Sequence, residues 1–126
     1  MSTTTIAPTI AELDAQVNQM VLQGKILEAF DRFYDDGVVM QENGATPTVG
    51  KSANRAREEK FVESIEQFHG AEVLGSSAGA DRSYSEWVMD VTFKGGIRAK
   101  LEQVAARQWR HGRIVHERFY FNAGNA

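Results

Sequence analysis

Apolar residues recur at helical spacing from Thr9 to about Phe68 and alternate with polar ones from Ala71 to Phe121, so the chain reads as helices followed by strands. Thr9-Ile10-Ala11-Glu12 has the form of a capping box, and Ile10, Leu13, Val17, Met20 and Val21 continue it as a helix that Gly24 ends. Ile26, Leu27, Phe30, Phe33 and Tyr34 line one side of a second helix, which Asp35-Asp36-Gly37 is expected to stop. A short strand over Val38–Asn43 and a loop over Gly44–Gly50 follow. The third helix is expected from Ser52 to Phe68, with Phe61, Val62, Ile65 and Phe68 as its core stripe and Gly70 just beyond its end. Its remaining positions, Arg55, Arg57, Glu58, Glu59, Lys60, Glu63 and Glu66, read as a solvated charged face.

Three long alternating runs, Ser83–Phe93, Ile97–Trp109 and Arg113–Phe121, are separated by Lys94-Gly95-Gly96 and Arg110-His111-Gly112, connections short enough for antiparallel hairpins. Trp87, Met89, Val91 and Phe93 must share the inner face of the first run. A three-residue first loop pairs Phe93 with Ile97, Met89 with Leu101 and Trp87 with Gln103, and sets Asp90 opposite Lys100 on the outer face. A three-residue second loop pairs Trp109 with Arg113 and turns Val115, Glu117, Phe119 and Phe121 inward, with Glu117 opposite Ala105. The alternative, a two-residue His111-Gly112 turn, would bring His116 and Arg118 into the core and is set aside for that reason. The fold class is therefore α+β, a strongly curved sheet wrapped around three N-terminal helices.

Gln103, Arg107 and Glu117, with Ser85, interrupt an otherwise apolar inner face beside the small Ala105, ringed by Trp87, Trp109 and Phe119. Polar groups next to unfilled volume among aromatics are how a ligand pocket looks in sequence. A carboxylate so placed, Glu117, is suited to proton transfer. The same residues also fit a buried Arg107–Glu117 ion pair that closes the narrow end of the fold and does nothing else. Tyr34 either turns its hydroxyl to the pocket mouth or belongs to the core, whereas Phe61 and Phe68 read as core.

With 126 residues, 42% of them apolar, the chain suits one domain over residues 9–122, with tails at 1–8 and 123–126. A net charge of −3 with interspersed signs argues against nucleic acid as a partner. The absence of cysteine excludes disulfides and thiolate metal sites, and His69, His111 and His116 share no ligand spacing, so no metal is expected. His69 reads as a helix-end histidine. No apolar run approaches the ~18 residues of a membrane span, and residues 1–8 lack the pattern of a signal peptide, so the expected location is cytoplasmic.

The block Phe30-Asp31-Arg32-Phe33-Tyr34-Asp35-Asp36-Gly37-Val38-Val39-Met40 and the ending Trp109-Arg110-His111-Gly112-Arg113-Ile114-Val115-His116-Glu117-Arg118-Phe119-Tyr120-Phe121 resemble the nuclear transport factor two-like superfamily, and within it the SnoaL-like proteins named for polyketide cyclases. The resemblance implies a cone-shaped roll with a mixed or antiparallel sheet, a pocket between sheet and helices, and a homodimer, here through the outer sheet face. The superfamily holds ketosteroid isomerases, dehydratases, epoxide hydrolases, cyclases and non-catalytic modules, so the implied activity is a cofactor-free isomerase, cyclase or dehydratase acting on an apolar small molecule. The alternative is a dimerisation or interaction module with a filled pocket. Aligned with ketosteroid isomerases, the general-base aspartate falls on Gln41, the oxyanion tyrosine near Val17 and the oxyanion aspartate on Ala105. None is kept. Gln41 can still hydrogen-bond a ligand, and Glu117 is the remaining candidate acid–base group.

Overall fold

The computed structural model describes residues 7–122. The tails expected at 1–8 and 123–126 lie, apart from Ala7 and Pro8, outside the described residues. The chain runs α1 (Ile10–Leu22), α2 (Ile26–Phe33), β1 (Tyr34–Glu42), β2 (Thr48–Val49), α3 (Lys51–Ser64), β3 (Ile65–Ala78), β4 (Arg82–Phe93), β5 (Ile97–Arg110) and β6 (Arg113–Phe121). The strands form one open sheet in the order β2-β1-β6-β5-β4-β3, antiparallel throughout except for the β1–β6 pair. Leu13 and Val17 of α1 and Phe30 and Phe33 of α2 bury against Tyr34, Val38 and Met40 of β1, Trp109 of β5 and Ile114 of β6, and this cluster is the core.

At the start of α1 the Thr9 hydroxyl accepts the Glu12 N–H at 3.2 Å, so the cap falls where the sequence puts it. Two helix ends do not. The second helix stops at Phe33, and β1 begins at Tyr34 and runs through Asp35-Asp36-Gly37. Residues 35–38 bulge opposite Val115, which lets those polar residues pass while Val38 stays buried. The third helix ends at Ser64 rather than Phe68. The Ser64 carbonyl accepts the Lys94 N–H at 2.8 Å and Ile65 pairs with Phe93, so the sheet claims the last turn that helical periodicity had allowed. Phe68 and His69 are therefore strand residues. Gly70 lies in the ladder opposite Asp90, and His69 Nε2 meets Thr92 Oγ1 at 2.7 Å instead of capping a helix.

The β4–β5 hairpin has the expected register: Phe93 faces Ile97, Met89 faces Leu101 and Trp87 faces Gln103. Asp90 is aligned with Lys100, but its carboxylate goes to Arg98, which donates from Nε at 3.0 Å and Nη2 at 2.9 Å. The β5–β6 hairpin corrects the sequence reading. Arg110 pairs with Arg113 across a two-residue turn, with His111 at φ 52° and Gly112 at φ 75°. A bulge at Val115 follows: Trp109 pairs with Ile114, and Gln108 with His116. The extra residue shifts the phase of the strand, so Glu117 still points inward although the turn is short. His116 and Arg118 stay out of the core as expected, by a bulge rather than a longer loop. Glu117 consequently faces Arg107, Phe119 faces Ala105, and Ile114 is fully buried in the core rather than on the outer face.

β3 is the long edge strand, and its pairing with β4 slips at three places, 65/67, 68/70 and 73/75.

Candidate functional site

The inner polar residues form one buried network. Arg107 Nε donates to Glu117 Oε2 at 2.7 Å, and Nη1 donates to Asp14 Oδ1 at 2.8 Å and Asn18 Oδ1 at 2.6 Å. Tyr34 Oη donates to the Glu117 carboxylate, 2.6 and 2.7 Å from its two oxygens. Ser83 Oγ donates to Asp14 Oδ1 at 2.7 Å while accepting Trp109 Nε1–H at 2.8 Å. Glu117 is fully buried, and no buried side-chain nitrogen or oxygen among the described residues lacks a partner. Burial alone would favour the neutral guanidine, but Glu117, Tyr34 and Asp14 outweigh it and hold the Arg107 pKa above its ordinary value. Burial, reinforced by the Glu117 charge and opposed by Arg107, pushes the Tyr34 phenol well up, so it keeps its proton. Asp14 and Asn18, four residues apart on α1, were missed in the sequence reading. Their signal was their place beside Leu13 and Val17 on the face that buries.

A cavity of about 220 Å³ lies beside this network, between the helices and the sheet. Val21, Ile26, Ala29 and Phe30 form its wall on the side of α1 and α2, and Phe61 its wall on α3. Met89, Leu101, Gln103, Phe119 and Phe121 form its sheet side. Tyr34, Met40, Gln41 and Glu42 enter from β1, and Asn54, Arg57 and Glu58 from α3. Of the residues singled out by sequence, Tyr34, Gln41, Gln103 and Phe119 are in this wall. Glu117, Arg107, Trp87 and Trp109 are not. Glu117 reaches the cavity only through the Tyr34 hydroxyl. Trp87 Nε1 donates to Ser85 Oγ at 2.9 Å, and Trp109 is tied to Ser83, so both indoles are packing groups. The room expected beside Ala105 is closed: Phe119 stands opposite, Ala105 is fully buried, and the free volume lies further along β5, under Leu101 and Gln103. Of the positions aligned with the isomerase residues, Gln41 lines the cavity while Val17 and Ala105 are buried outside it.

The residue that changes the picture is Glu58. It is half-buried, lines the cavity, and makes no hydrogen bond or ion pair among the described residues. Burial, then the charges of Glu117 and Glu42, raise its pKa from the ordinary 4.5 to about 7, against the pull of Arg57 and Arg55. The sequence places it within a charge run, a pattern that suggests a solvated face. Its spacing told otherwise: four residues after the buried Asn54 and three before Phe61, it sits on the inward stripe of α3. Asn54 fixes that stripe by donating from Nδ2 to the carbonyls of Val38 (3.2 Å), Thr48 (3.0 Å) and Gly50 (2.8 Å).

Three helices under an open, mixed six-stranded sheet, with a cavity between them, define the α+β cone of the nuclear transport factor two-like superfamily. Within it the chain belongs to the SnoaL-like domain family, whose profile matches residues 8–121. A SnoaL-like polyketide cyclase candidate from Mesorhizobium loti is 27% identical, with a TM-score of 0.80 over 90% of this chain and 100% of that one. Another from Jannaschia sp. CCS1 is 10% identical, with a TM-score of 0.75 over 95% and 92%. An NTF2-like protein from Burkholderia pseudomallei is 13% identical, with a TM-score of 0.76 over 89% of each chain. No curated protein matches the chain. No helix among the described residues is long and apolar enough to cross a membrane.

Proposed function

We propose that the chain binds a compact, largely apolar small molecule in the cavity and exchanges a proton with it through Glu58. This is the elementary step of an isomerase, cyclase or dehydratase, and it needs only a carboxyl group. The observation that carries the reading is an unpaired carboxyl set into the wall of an apolar cavity. With a pKa near 7, both its forms are populated at neutral pH, which is where acid–base catalysis works best. Family membership supports the reaction class. Glu117, first considered for this role, is committed to Arg107 and Tyr34 and acts as support. The cavity lies below the roughly 300–1,000 Å³ that drug-sized ligands occupy, so the ligand is smaller than those.

The base-promoted ring opening of 5-nitrobenzisoxazole tests this without the natural substrate, because it reports any carboxylate base within an apolar cavity. Turnover is expected to rise with pH through a midpoint near 7 and to vanish in Glu58→Gln. A rate no greater than that of free acetate, or an unchanged rate in the variant, refutes the proposal.

We also propose self-association through the outer sheet face. Tyr84 and Tyr120, 43% and 45% exposed, flank Val104 and Ala106 there, each directly opposite one of the two. Sedimentation at micromolar concentration should show a dimer, and a monomer would refute it.

A further inference from the structure

The cavity wall is rich in acceptors, and its uncommitted neutral side-chain donors are the amide of Gln103, which makes no hydrogen bond among the described residues, one N–H of Gln41, and the hydroxyls of Thr46 and Thr48. The Tyr34 hydroxyl proton is held by Glu117, so the phenol oxygen can only accept. Gln41 gives one N–H of its Nε2 to the Ala45 carbonyl at 2.9 Å, leaving its oxygen and one N–H. Asn54 spends its amide nitrogen on three backbone carbonyls. The wall's cation, Arg57, is more than half exposed at the mouth and turned to Thr48 Oγ1 at 3.1 Å and Glu42 at 3.6 Å. Glu58 makes no hydrogen bond or ion pair among the described residues.

Charge leans the same way. Behind Tyr34, two carboxylates, Asp14 and Glu117, share the single guanidinium of Arg107. The titratable and charged groups acting on Glu58 are Glu42 and Tyr34 from β1, Glu117 from β6, and Arg55 and Arg57 on its own helix. Arg55 is taken by Asp31 and Glu59. The aromatic side chains of Phe30, Phe61, Phe119 and Phe121, whose rings carry a negative face, complete the wall.

Resting on the reading of the cavity as a ligand site, we infer that its ligand is a compact primary or secondary amine, held as the ammonium by Glu58 and the surrounding acceptors and rings. An ammonium brings donors to these acceptors, and a positive charge that the wall otherwise holds only in the exposed Arg57. An anionic ligand would meet unpaired acceptors and a carboxylate. Such an amine is already protonated at neutral pH, so when its ammonium pairs with Glu58 any proton still on the carboxyl leaves to solvent.

Cyclohexylamine, cyclohexanol and cyclohexanecarboxylate share a ring and differ in charge and donors. They should be titrated into the protein by calorimetry, with amide chemical shifts of Phe61, Gln103 and Phe119 locating the site. At about pH 8 the ammonium is expected to bind at least about tenfold more tightly than the alcohol, and the carboxylate more weakly than either. The preference should shrink to about threefold or less at pH ~5, where Glu58 is protonated, and in Glu58→Gln at either pH. Equal or tighter binding of the alcohol or the carboxylate at pH ~8 overturns the amine inference while leaving the cavity as a ligand site. No shift at the three residues with any probe overturns both.

Discussion

Glu58 is expected to lower the stability of the fold at the pH where it is useful, and Glu58→Gln isolates that effect. Between the unfolded pKa near 4.5 and the native value near 7, the folded chain binds more protons at this site than the unfolded one. Stability must therefore fall as pH rises through that window, and the loss is complete above it. Each tenfold change in the protonation equilibrium is worth about 1.4 kcal/mol, so the displacement sets an upper bound of about 3 kcal/mol. Part of the side chain remains in water, and solvent screening reduces this to about 1–2 kcal/mol. Glutamine keeps the shape and removes the charge. Urea unfolding followed by tryptophan fluorescence should give the variant the same stability as the parent near pH 4.5, and about 1–2 kcal/mol more near pH 8.5. In melting temperature that gain is about 3–8 °C for a chain of this size. A stability difference that does not change with pH would show that Glu58 is fully solvated and that its place in the cavity wall does not govern its titration.

Arg107→Met leaves Asp14 and Glu117 without their cation, and should remove about 3–5 kcal/mol in urea unfolding. Glu117→Gln should cost about 1–3 kcal/mol. It also removes a negative neighbour of Glu58, so the kinetic midpoint with 5-nitrobenzisoxazole should move below 7 toward 4.5; an unmoved midpoint would refute that coupling. Deletion of Val115 takes out the bulge residue while keeping Ile114 and Glu117 inward, so the variant should stay folded and lose less than about 2 kcal/mol; unfolding by circular dichroism would contradict the register.

How far the sequence carried differed from element to element. The β4–β5 hairpin was readable because Trp87, Met89, Val91 and Phe93 alternate without interruption and its three-residue loop adds no slip. The inward turn of Glu117 was also readable, but its partner was not. The two-residue turn and the Val115 bulge together displace the pairing so that Arg107, not Ala105, lies opposite, and a bulge leaves no mark in an alternating pattern. The end of α3 was hidden because Phe61, Ile65 and Phe68 satisfy a helix and a bulged strand alike, and only the Lys94 contact to Ser64 decides. Glu58 was hidden by composition. A charged run suggests solvent, whereas the buried Asn54 one turn before it shows which stripe of the helix faces inward.

The slipped edge strand β3 also bears on how copies of this molecule can meet. A second chain could prolong the sheet only by docking along a straight row of free amides and carbonyls. One rim is the two-residue β2 and the other is β3, kinked at 65/67, 68/70 and 73/75. Among the described residues neither rim offers such a row, so growth of the sheet from copy to copy is blocked at both edges, which is how short and kinked edge strands guard against fibril-like stacking.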